Sequence, residues 1–111
     1  MAYDKDLATR VESIFKNLIP LEIISKKIFG GICYLLNGNI ACGVHQNKLI
    51  IRVGKEEYLN ALTKSGTSPF DLTGRPMAGW VFVEPPLIDS DEELHAWVQQ
   101  GVNFTLTLPA K

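Results

Sequence analysis

The spacing of apolar residues changes period along this chain, and each change marks an element. Leu7, Val11, Ile14, Phe15 and Leu18 recur at helical spacing, with Lys5, Arg10, Glu12 and Lys16 on the other side. Asp4 stands where its carboxylate can accept the orphan N–H groups of a first helical turn, and Pro20 ends the run. Residues 21–29 read as a strand whose edge is charged at Lys26 and Lys27, which discourages sheet-to-sheet pairing. Gly30-Gly31 lets the backbone turn sharply. A strand follows it, not a helix N-terminus, so a phosphate cradle is not the reading there.

Over residues 31–53 the period becomes two. Three short apolar runs are split by Asn37-Gly38, the strongest short hairpin signal, and by the weaker Gln46-Asn47. This predicts a three-stranded antiparallel meander. With two-residue turns, Leu35 faces Ile40, Tyr34 faces Ala41, Cys33 faces Cys42, and Cys42 in turn faces Ile51. Alternation then gathers Cys33, Leu35, Ile40, Cys42, Val44, Leu49, Ile51 and Val53 on a core face without charge. The other face gathers Ile32, Tyr34, Leu36, Ala41, Gly43, His45, Lys48, Ile50 and Arg52. It is mixed, so a helix layer, a ligand or a partner subunit is expected to cover part of it. A slip of one residue would invert the assignment.

Gly54 ends the meander. Residues 55–64 read as a short helix with Tyr58, Ala61 and Leu62 inward, stopped by Gly66. Residues 65–76 are a turn-rich loop of functional length. Trp80-Val81-Phe82-Val83 is a further strand. After Pro85-Pro86, Ser90 and Glu93 form a capping box that opens a last helix, with Leu94, Trp97, Val98, Gly101, Thr105 and Leu108 inward and Pro109 as its end. The order α-β-β-β-β-α-β-α predicts an α+β fold: a mostly antiparallel sheet, the meander plus one later strand, packed with three helices. With 111 residues, a single domain over 1–111 is expected.

Lys+Arg total 11 and Asp+Glu 12, a formal net charge of -1. That balance argues against a dedicated nucleic-acid binder, while leaving room for a local basic patch. The opening is polar and acidic, with no signal peptide, and no apolar run has the length of a membrane span. A cytoplasmic protein with no membrane contact is expected. Cys33 and Cys42, opposite each other in the meander, could form a cross-strand thiol pair or redox switch. Burial of both as small hydrophobes in a reducing compartment is the favoured reading. His45 and His95 lack metal-ligand spacing, so neither a metal nor another cofactor is expected. No nucleophile–base–acid trio stands out and GxSxG and Walker A patterns are absent, so the chain is not expected to be an enzyme. What remains is a basic and aromatic set, Lys26, Lys27, Tyr34, Arg52 and Arg75. Singly these are surface charges, and Arg75 can pair with Asp71. Together they form the candidate binding surface, with arginine suited to carboxylate or phosphate recognition.

Lys27-Ile28-Phe29-Gly30-Gly31, Asn37-Gly38, Leu49-Ile50-Ile51-Arg52-Val53 and Gly74-Arg75-Pro76-Met77-Ala78-Gly79-Trp80 resemble, in order and spacing, the TfoX N-terminal domain family. The last segment is the most specific, and Ile28 stands where the family often has methionine. The resemblance implies an α+β domain of the secretion-chaperone-like type, often dimeric. It also implies a non-enzymatic role related to the bacterial regulators of competence, which act on transcription. Longer members carry a second, C-terminal domain, and this chain is expected to stand as the N-terminal domain alone. The resemblance thus implies a regulatory or interaction domain whose partner is another protein or a second copy in a homodimer. A nucleic-acid contact module and a small-ligand or redox sensor are the alternatives.

Overall fold

The computed structural model describes residues 3–18, 24–28, 30–71 and 77–110. Helix α1 (Lys5–Leu18) leads into strands β1 (Ile24–Ile28), β2 (Gly31–Leu36), β3 (Asn39–His45) and β4 (Lys48–Arg52). Helix α2 (Lys55–Leu62), strands β5 (Thr67–Pro69) and β6 (Trp80–Val83), and helix α3 (Asp91–Thr105) follow. The strands form one six-stranded antiparallel sheet in the order β1-β2-β3-β4-β6-β5. The fold is α+β with the expected order of elements. Strand β5 adds three residues of pairing inside the turn-rich loop, and Pro85–Leu87 form a 3-10 turn. Pro20, residues 21–23 and Phe29 lie outside the described residues.

The helix termini follow from local chemistry. One Asp4 carboxylate oxygen accepts from the backbone N–H of Asp6 at 2.9 Å and of Leu7 at 3.1 Å. At α3 the Glu93 N–H donates to the Ser90 hydroxyl at 3.0 Å. The Glu93 carboxylate reaches back to that same hydroxyl, also at 3.0 Å, and so orients the cap. Leu7, Ala8, Val11 and Phe15 of α1 and Leu94, Trp97, Val98, Gly101, Val102 and Thr105 of α3 are buried. The two helices pack on each other and on β3. Arg10 fastens α1 to the start of α3, donating to Asp91 at 3.0 Å and to the Ile88 and Asp89 carbonyls at 3.1 Å.

The meander departs from its expected register at one point. Asn37 (φ 54) and Gly38 (φ 83) make the positive-φ turn, and Leu36 pairs with Asn39 and Leu35 with Ile40. A bulge then leaves Ala41 as the extra residue on β3, so Tyr34 faces Cys42 and Cys33 faces Gly43. Beyond it the expected pairing of β3 with β4 holds: Cys42 with Ile51, Val44 with Leu49. An extra residue shifts the phase of a period-two pattern, which is why the assignment of faces splits. Cys42, Val44, Leu49, Ile51 and Val53 lie in the core under the helices, as expected. Tyr34, Leu36 and Ala41 lie there too, and Ile32 packs against them, whereas Cys33, Leu35 and Ile40 do not. The placement of Tyr34 on an outward functional face is therefore corrected. It is buried, its ring 6.2 Å from that of Phe15, and its hydroxyl donates to the Ala8 carbonyl at 3.2 Å.

Around Ile50 and Phe82 the outward face is closed by the chain itself. Phe70, just after β5, lies 5.0 Å from the Phe82 ring and 5.9 Å from that of Trp80, and Ile50, Phe70 and Phe82 form a second small core. Ile50 and Tyr34 are both buried within the chain, so neither needs a second copy to cover it.

Candidate functional site

Among the described residues, a groove of about 970 Å³ is large enough to hold a ligand. It forms where the end of β4, the start of α2, the turn before β6 and the last turns of α3 converge. Two glycines let the backbone meet there. The Val53 and Gly54 N–H groups both donate to the Gly79 carbonyl, at 2.8 and 3.1 Å. Gly54 has φ 87 and Gly79 φ 94, the left-handed region that glycine occupies freely. A Cβ on Gly54 would come within 2.5 Å of the Phe104 ring, so the absence of a side chain lets α3 lie against the start of α2.

Arg52, the last residue of β4, lines the groove. Its guanidinium carbon is 4.8 Å from the centre of the Trp80 ring, its partner across the β4–β6 ladder, and 5.8 Å from that of Phe104. One hydrogen bond holds it, from Nη1 to the Ile40 carbonyl at 3.5 Å. Among the described residues no carboxylate lies within ion-pair distance of it. Partial burial lowers its pKa from the ordinary arginine value, but a guanidinium stays charged at any physiological pH. The groove encloses about 970 Å³. Besides Arg52, Trp80 and Phe104, its charged lining is Lys55, Glu56 and Glu57, the first turn of α2, and Gln100 and Asn103 of α3 add amides.

Of the expected residues that are described, only Arg52 lines this groove. Lys26 and Lys27 are exposed on β1, with β2 and β3 between them and β4. They project to opposite faces, since Lys26 pairs with Cys33 and Lys27 with Ile32. Tyr34 is under α1. Arg75 lies outside the described residues. The two cysteines are free and buried, Cys42 in the helix-side core and Cys33 on the other face beside Gly43, so they are not an opposed pair. Burial pushes the Cys33 thiol up to about 11 and raises that of Cys42 as well, with Cys33 adding to the effect. Both therefore remain protonated near neutrality, which makes them poor nucleophiles and poor redox switches. Among the described residues, no His, Cys, Asp or Glu group could hold a metal ion, and no helix is long and apolar enough to cross a membrane.

Phe104, Gln100 and Asn103 were not legible as site residues. Phe104 follows Trp97 by seven positions and Gly101 by three, a helical spacing that would have marked it as inward-facing. Nothing in the sequence shows that it meets Arg52.

Fold and groove together define a small α+β domain with a mixed aromatic and charged cleft. The TfoX N-terminal domain family matches it over residues 16–105, and the chain belongs to that family. No curated protein and no solved structure matches it. Two of the segments that carry the family resemblance meet in the groove: Arg52 and Val53 come from one, Ala78, Gly79 and Trp80 from the other.

Proposed function

We propose that this chain is a non-enzymatic regulatory domain, related in role to the competence regulators, that acts by contact with another protein at the Arg52 groove. The observation that carries the reading is a stacked guanidinium without a carboxylate partner among the described residues, lining a groove of about 970 Å³. Clefts of ~300–1,000 Å³ with a few placed polar groups are the usual form of a small-molecule site, and arginine and tryptophan set in such pockets are also the anchors enriched at protein interfaces. Over the lining, Arg52 and Lys55 are balanced by Glu56 and Glu57. A phosphate backbone gains affinity by neutralising several phosphates at once, and a balanced groove offers little of that. The two free thiols fit a reducing, cytoplasmic setting.

The test is affinity capture from the native cell with wild type and Arg52→Gln. Loss of one defined partner from the variant, with its far-UV spectrum unchanged, supports the reading. Equal capture by both sinks it. Binding to DNA that falls steeply with salt and depends on Arg52 would put a nucleic-acid module in its place.

A further inference from the structure

We propose that the Arg52 groove binds a small organic monocarboxylate, its acid group on the guanidinium and its apolar body beside Phe104. This goes beyond the protein-contact reading above: it gives the groove a ligand of its own, tested by a different measurement.

A guanidinium carries five N–H donors in its plane. Stacking on Trp80 engages its face, and the bond to the Ile40 carbonyl at 3.5 Å engages one donor. The other donors have no partner among the described residues. A carboxylate accepts two parallel bonds from such an edge, which sets it apart from a neutral ligand. The rest of the lining divides the same way. The Asn60 amide holds Glu57 at 3.3 Å, whereas the side chains of Lys55, Glu56 and Gln100 have no hydrogen-bond or ion-pair partner among the described residues.

The shape and the charge of the groove select the occupant. Its volume of about 970 Å³ lies at the upper end of the ~300–1,000 Å³ of small-molecule clefts, and it is many times that of an acetate or phosphate ion. The acid group therefore comes with a body, and Val53, Ala78, Phe104 and Leu108 give that body apolar walls. The cleft is also built into the backbone, since the Val53 and Gly54 N–H groups are both fixed on the Gly79 carbonyl. A pre-formed concave site of this kind is the usual form for a small ligand. Glu56 and Glu57 stand in the same lining and repel a second negative charge. That disfavours phosphate dianions and nucleic acid, and leaves a single carboxylate.

The experiment uses the whole chain, labelled with nitrogen-15, and naphthoate as the probe. Naphthamide, acetate, inorganic phosphate and a capped glutamate-containing peptide are the comparisons. Naphthoate should shift the Trp80 indole and Arg52 Nε resonances and bind about tenfold or more tightly than naphthamide. Acetate, which lacks the apolar body, should also fall about tenfold or more below naphthoate. Arg52→Gln should abolish the preference for naphthoate over naphthamide, and Arg52→Lys, which keeps the charge without the fork, should retain part of it. Equal binding of naphthoate and naphthamide overturns the carboxylate. Phosphate binding as tightly as naphthoate overturns the monocarboxylate in favour of a general anion site. Groove shifts from the peptide without any from naphthoate overturn the small ligand and leave the protein contact standing. If no probe moves these resonances, the groove is not a ligand site, and capture with Arg52→Gln still decides the protein contact separately.

Discussion

The two faces of the sheet are made by the same strands and closed by different means. On the helix side, Tyr34, Cys42, Val44, Leu49, Ile51, Val81 and Val83 meet α1 and α3 in a core that holds no charge. On the other side, Ile50 and Phe82 are sealed by Phe70, and two cations and a histidine ring gather around the aromatic rings. Lys48 lies 5.4 Å from the Phe82 ring centre, Arg52 lies over Trp80, and the His45 ring is 5.7 Å from Phe82. The first face is finished by packing. The second keeps a charged group in reach of solvent, because a cation stacked on a ring is stabilised without its hydrogen-bonding edge being consumed. The region that stabilises the domain and the region proposed to bind are thus back to back, on opposite faces of the same strands.

The largest expected effect tests the first face. Tyr34→Ala should lose about 3–5 kcal/mol in urea unfolding, as large-to-small changes of buried aromatics do. Tyr34→Phe should lose only about 1 kcal/mol, the bond to Ala8. A small loss from the alanine variant would return Tyr34 to the surface and undo the contrast between faces. Next, Gly101→Ala should lower stability by about 1–3 kcal/mol. Its Cβ would stand 2.7 Å from the Ala41 carbonyl oxygen, at the bulge where α3 presses on β3. Thermal unfolding of that variant measures how closely the helix layer fits.

A third measurement tests the burial of Cys33 by titration. The Cys33 thiol is raised from 9.0 to about 11 by burial, so the folded state holds its proton after the unfolded chain has released it. Stability must therefore fall as pH rises from 9.0 towards about 11, and it is fully present below 9.0. Cys33→Ala should flatten that decline in pH-dependent urea unfolding, and an unchanged slope would mean that Cys33 is not desolvated. The smallest effect is expected at the second face. Arg52→Gln should change stability by only about 0.5–1 kcal/mol, the value of a cation–ring contact. A larger loss would make Arg52 a structural residue and weaken its role in binding.

Much of the fold was legible because its signals are local. The caps at Asp4 and Ser90, the turn at Asn37-Gly38 and the inward faces of α1 and α3 depend on neighbours a few positions away. The face of β2 was not legible, because a single extra residue on β3 decides it and Ala41 carries no local sign of a bulge. Arg52 was legible as a binding candidate from its residue type and strand position. Its companions were not: Lys26 and Lys27 share its charge but stand on β1, whereas Trp80 and Phe104, remote in sequence, stand beside it.

By itself, the sequence determined the α+β class, the order of helices and strands, the helix starts and the family, since each rests on short-range chemistry or on the order of motifs; α3 ends at Thr105, before the expected stop at Pro109. Tertiary structure alone decided which side of β2 faces the helices, that the two thiols turn apart, and that Arg52 is stacked and open. Those outcomes depend on one unpaired residue at Ala41 and on Gly54 and Gly101 allowing α3 to approach. They are long-range contacts, set only when the layers close on one another.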